Sequence, residues 1–163
     1  MKVFVTILVN FFLIKNSFCQ SPTKSIYQIV LEKNIKNKKF VFGKWNEKGG
    51  METHLKYLGL VKTKKGRILK IVNYSLYWGL AHRATSRILF FNDRNQYLGD
   101  YYLTLVSDLP TKLNSGKLIF VNSKSCDCDK KLVTMINLKN GIPSSFFRKC
   151  KGQSGDIYAF NYR

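Results

Sequence analysis

The chain has 163 residues and carries 28 lysines and arginines against 9 acidic residues, a formal net charge of +19. That length makes one domain able to bury a real core, and 45% hydrophobic with 14% aromatic residues excludes a disordered chain of low hydropathy. With 11 glycines and 3 prolines, and neither an internal repeat nor a heptad pattern, collagen-like, low-complexity and coiled-coil classes are excluded as well.

At the N-terminus, Lys2 precedes an apolar run from Val3 to Ile14 and a short polar stretch ending Ser17-Phe18-Cys19. This is the layout of a secretory signal peptide, and the run is shorter than the roughly 20 residues that cross a bilayer. Small residues at Ser17 and Cys19 fit a cut after Cys19. The expectation is a signal peptide over 1–19 and a single β-rich domain over 20–163. The mature protein is then periplasmic or secreted, with no transmembrane span. An alternative makes Cys19 the acylated cysteine of a lipoprotein, although Phe18 is bulkier than the small residue such a site prefers.

Cleavage there would remove Lys2 and Lys15 and no acid, so the mature chain stays strongly cationic. A basic surface attracts nucleic acid, anionic lipid or acidic polysaccharide. The arginines are only Arg67, Arg83, Arg87, Arg94, Arg148 and Arg163. Planar anion recognition favours Arg, so the lysine excess reads as a generally cationic, solvated surface. Export argues against a specific nucleic acid partner and leaves an anionic glycan or lipid headgroup as the expected company.

Along the chain, IYQIVLEKNIKNKKF after Ser25 fits a strand or a short amphipathic helix equally well. From Lys39 the texture changes to short runs of Val, Ile, Leu, Phe and Tyr separated by turn residues, the pattern of an all-β fold. Strands are expected over 39–45, 53–63, 67–78, 86–91, 96–106, 117–121, 132–138, 142–150 and 156–162. About nine strands built from antiparallel hairpins imply a barrel or a sandwich. Asn140-Gly141 predicts a type I′ hairpin between the seventh and eighth runs. The run from Ile68 to Trp78 is apolar on both faces, as in a strand covered on both sides or lining a cavity.

Gly43-Lys44-Trp45 resembles the G-x-W of lipocalin-like barrels, which implies up-and-down strands around a ligand pocket. From Glu52-Thr53-His54-Leu55 through YWGLAHRATSR to GDIYAF, the chain resembles a family of small exported bacterial β-rich proteins. That resemblance implies export and a β fold, and carries over no catalytic residue.

Three cysteines, Cys126, Cys128 and Cys150, would remain after cleavage, an odd count that implies one bridge and one spare thiol. A zinc site needs four ligands, usually in two spaced pairs, and C-x-C with scattered histidines does not supply them. No metal or cofactor is expected. A catalytic thiolate would gain from Lys130 and Lys131 but be opposed by Asp127 and Asp129. The favoured reading is a Cys128–Cys150 disulfide, because the Asn140-Gly141 register sets Cys150 opposite Lys131, with Cys128 three positions away and within reach if the loop folds back; Cys126 is the alternative partner.

The second constellation is the stretch 77–87, expected as a loop. There Trp78 could stack on a sugar, His82 could exchange a proton, and Arg83 and Arg87 could grip a carboxylate or phosphate. Together they point to an exported binding or envelope-associated protein. The alternatives are an exported nuclease or glycan-cleaving hydrolase and a structural or assembly protein of the envelope. Hydrolysis needs groups with opposed pKa shifts in one cleft; the pool is Glu52, His54, His82, Asp93, Asp100 and Asp108, with Arg83 as a cationic partner. Convergence of Glu52 or Asp93 with His54 or His82 would favour catalysis.

Overall fold

The computed structural model describes residues 24–122 and 127–163. The leader, Cys19 and Cys126 lie outside the described residues. Helix α1 (Ile26–Lys33) settles the ambiguous first segment. Its start is a reciprocal cap: Gln28 N donates to Ser25 Oγ at 3.3 Å and Ser25 N donates to Gln28 Oε1 at 3.1 Å. Its end is Asn34, which takes a left-handed φ of 51°.

Five strands then run as an antiparallel meander: β1 (Lys39–Asn46), β2 (Gly50–Lys62), β3 (Ile68–Trp78), β4 (Arg83–Phe91) and β5 (Tyr97–Leu103). After a 3₁₀ turn at Val106–Asp108, the short strands β6 (Lys112–Asn114), β7 (Lys117–Val121) and β8 (Val133–Asn137) form a separate three-stranded sheet. Strands β9 (Ser145–Lys151) and β10 (Ser154–Tyr162) return to the first sheet, giving the order β1-β2-β3-β4-β5-β10-β9. The fold is all-β apart from α1 and sandwich-like, and its seven-stranded sheet does not close into a barrel. The three residues of β6 are too few to show a period in the sequence.

Both faces of the large sheet are covered, which explains the doubly apolar strands. On the inner face, Ile71, Ile88, Phe90 and Tyr101 pack with Leu118 and Phe120 of the small sheet. On the outer face, Val72, Leu89 and Phe91 pack with Val30 and Leu31 of α1. Alternation along β4 sends Ile88 and Phe90 inward and Leu89 and Phe91 outward. In β2 the register shifts between Tyr57 and Gly59. Gly59 sits there at φ 131°, and the extra residue shifts the alternation by one, so that Leu58 and Val61, three positions apart, both face inward.

The Asn140-Gly141 hairpin does not form. Strand β8 pairs with β7, and β9 pairs with β10. Gly141 N instead closes a turn onto Leu138 O at 3.0 Å, and only Gly141 of the two takes a positive φ, whereas a type I′ turn needs both. The chain uses this turn to cross between sheets after burying Leu138 completely. The Cys128–Cys150 disulfide nevertheless forms, with Cα atoms 4.4 Å apart. The cysteines meet because the turn around Asp129 packs beside β9: Asp129 N donates to Cys150 O at 2.7 Å, and Asn122 Nδ2 donates to Asp129 O at 2.8 Å.

Candidate functional site: two faces of one hairpin

The stretch expected as a loop over 77–87 is mostly strand. Trp78 and Arg83 are direct cross-strand partners, and the turn shrinks to residues 79–82. It closes through His82 N donating to Gly79 O at 3.3 Å, with Gly79 and His82 at φ 70° and 48°. Strand alternation and the turn geometry together divide the four candidate residues. Trp78, Arg83 and Arg87 belong to the outer face, while His82 turns its ring toward Tyr77 and Trp45.

On the outer face Arg87 lines a cavity of about 490 Å³ between α1 and the sheet, with Tyr27, Tyr74, Tyr97, Asp100 and Arg163. Arg87 Nη1 donates to both carboxylate oxygens of Asp100 at 3.0 Å. Asp100 also accepts from the Tyr97 hydroxyl and, at 3.4 Å, from Asn161 Nδ2. The guanidinium lies over the Tyr102 ring, 5.1 Å from its centre. Asp100 is thus buried and held by three donors, whereas the Arg87 side chain stays 37% exposed. Burial pushes the Tyr27, Tyr74 and Tyr97 hydroxyls above the usual phenol value, so they stay protonated and able to donate. Trp78 completes the face: its indole Nε1 donates to Thr85 Oγ1 at 3.1 Å and its ring is partly open to solvent.

On the other side of the hairpin, four rings form a run. Trp45 and His82 lie 4.3 Å apart, His82 and Tyr77 5.0 Å, and Tyr77 and His54 4.6 Å. Glu52 Oε1 contacts His54 Nε2. That hydrogen bond holds the Glu52 carboxyl below the usual carboxylate range. Burial pushes the Tyr77 hydroxyl up. The turn is pinned to β1 by Trp45 Nε1 donating to Gly79 O at 2.8 Å. His54 borders a cavity of about 210 Å³ with Lys39, Lys56 and Asn73.

The other carboxylates stay apart from this cluster. Asp93 lies in the β4–β5 turn at the far end of the strands. Asp108 is buried against Arg148 at 2.7 Å and accepts from Tyr158 Oη at 3.1 Å. Burial and the Asp108 charge push Tyr158 up to about 12. Among the described residues no group of three or more His, Cys, Asp or Glu side chains is placed to hold a metal ion, and no helix is long and apolar enough to cross a membrane.

Tyr27, Tyr74 and Tyr97 were not singled out from sequence, and Trp45 was read only as part of Gly43-Lys44-Trp45, not as a neighbour of His82. The three tyrosines come from α1, β3 and β5, and no local spacing links them. Comparison with protein-family models, curated proteins and solved structures finds no match for this chain.

Proposed function

We propose that this is an exported binding protein that holds an anionic glycan on the outer face of its large sheet. The observation that carries this reading is Arg87, part-exposed on the wall of a tyrosine-lined cavity and held in position by buried Asp100. A guanidinium offers several donors in one plane, so donors not facing Asp100 can meet a carboxylate or sulfate. Tyrosine hydroxyls and rings suit sugar hydroxyls and ring faces. Arg83 extends the cationic face and Trp78 provides a stacking surface. The 490 Å³ volume lies within the roughly 300–1,000 Å³ of small-molecule sites. Export accords with the disulfide, since such bonds persist in oxidising compartments.

Calorimetric titration of the oxidised protein with a sulfated oligosaccharide tests this. Arg83→Ala with Arg87→Ala should weaken binding at least tenfold, and an unchanged affinity would remove the proposed role. A titration with anionic phospholipid vesicles separates a lipid headgroup from a glycan as the source of the anion.

A second reading, an exported hydrolase, has its own support in the Glu52–His54 contact and in the two histidines meeting across Tyr77. Two observations rank it below binding. The neighbouring cavity, about 210 Å³, falls under the usual range. His54 also spends Nε2 on Glu52, whose negative charge opposes an anionic substrate. Hydrolysis of a polyanion that is lost in His54→Ala and His82→Ala would reverse this order.

A further inference from the structure

We propose that the opposite end of the sandwich carries a second binding site, one that takes a single-chain amphipathic anion such as a medium-chain carboxylate. Three turns meet there: residues 63–67 between β2 and β3, 92–96 between β4 and β5, and 139–142 after β8. They enclose a cavity of about 780 Å³ that opens to solvent. Its apolar lining is Ile68, Leu69, Leu98, Ile142 and Phe160. Lys65 and Arg67 stand in its wall, opposed by the single acid Asp93. Neither cation makes an ion pair among the described residues.

The walls are fastened before any ligand arrives. Thr63 N donates to Arg67 O at 2.8 Å, and Lys64 N donates to Lys139 O at 2.7 Å, tying the first turn to the third. In the second turn, Asn92 Oδ1 accepts from Arg94 N and Gln96 N, both at 2.9 Å. Such turns hold the space open rather than collapsing into it, and little ordering cost is left for binding.

The lining decides the ligand class. Thr63, Asn92, Asn140 and Tyr162 also line the space and can meet some sugar hydroxyls, but the five apolar side chains offer the rest no partner, which is costly. An acyl chain satisfies those side chains, and a carboxylate satisfies Lys65 and Arg67. The site shares no lining residue with the outer-face cavity, although its Asn92, Leu98 and Tyr162 are chain neighbours of Phe91, Tyr97 and Arg163 there. It also lies at the other end of the strands from Gly43-Lys44-Trp45, so it does not depend on the barrel resemblance.

The test is calorimetric titration of the full oxidised chain with octanoate, decanoate and dodecanoate below their micellar concentrations, with 1-decanol as the uncharged comparison. Saturable binding is expected to strengthen about fourfold per added methylene. Lys65→Ala with Arg67→Ala should weaken decanoate about fivefold and leave 1-decanol unchanged. Lys117→Ala, an exposed lysine outside the cavity, should leave decanoate unchanged and so exclude a general charge effect. Ile142→Asp should abolish binding while the circular dichroism spectrum is retained. Absence of saturable binding would overturn the proposal. So would affinity independent of chain length, or equal losses in the Lys117 variant and the paired variant.

Discussion

Two arginine–aspartate pairs built from the same chemistry serve different ends. Arg148 and Asp108 are closed off, with side chains only 4% and 8% exposed, and Leu105 N and Tyr158 Oη complete the carboxylate's partners. Arg87 and Asp100 have an equally buried acid but an arginine 37% exposed, stacked on Tyr102 and lining a cavity. In the first pair, the linker after β5 is locked to β9 and β10. In the second, the acid is a support and the arginine is presented. Residue type alone does not distinguish lock from anchor; what distinguishes them is where the far side of the guanidinium points.

The contrast predicts unequal costs. Asp108→Ala strands a buried guanidinium and should lower stability by about 3–5 kcal/mol, read as a reduced urea midpoint. Cys150→Ser removes a crosslink spanning 22 positions in sequence and should cost about 3 kcal/mol, with a matching loss on adding reductant to the native protein. Arg87→Ala leaves Asp100 two donors, Tyr97 and Asn161, and should cost only about 1–2 kcal/mol while removing the proposed anion binding. A loss in Arg87→Ala as large as in Asp108→Ala would erase the distinction between the pairs.

The smallest effects are titrations. Tyr158, raised to about 12, favours the fold below pH 10. That contribution should fade as pH rises from 10 toward 12, seen as late phenolate absorbance in the folded protein. Glu52 is depressed by His54, so its contribution is present above the ordinary carboxylate range and lost as pH falls through its lowered value. His54→Ala should move the Glu52 carboxyl carbon titration upward in NMR.

Much of the fold was legible because both-sided apolar runs and turn residues are local signals. Strands β1 to β5 fall close to where the pattern put them, and β3 is indeed covered on both sides. The helix was undecided because its cap, Ser25 with Gln28, competes with a short apolar run that also fits a strand. Asn140-Gly141 misled for a nonlocal reason: β8 pairs with β7 in the other sheet, Ile136 and the following Leu138 are buried, and the chain does not turn back on β9. The disulfide partners were right although the hairpin register behind them was not. For the site, reading 77–87 as a loop hid the strand parity that sets Trp78, Arg83 and Arg87 on one face and the turn that directs His82 to Tyr77 and Trp45. The tyrosines facing Arg87 are separated by whole elements and become neighbours only when α1 packs on the sheet.

The most direct test is an NMR titration of the ¹⁵N-labelled protein with a sulfated disaccharide at physiological ionic strength. The account predicts saturable shifts at the Arg87 side chain and at the Tyr27, Tyr74 and Tyr97 amides, all lost in Arg87→Ala. Shifts scattered over surface lysines, or unchanged by Arg87→Ala, would contradict it.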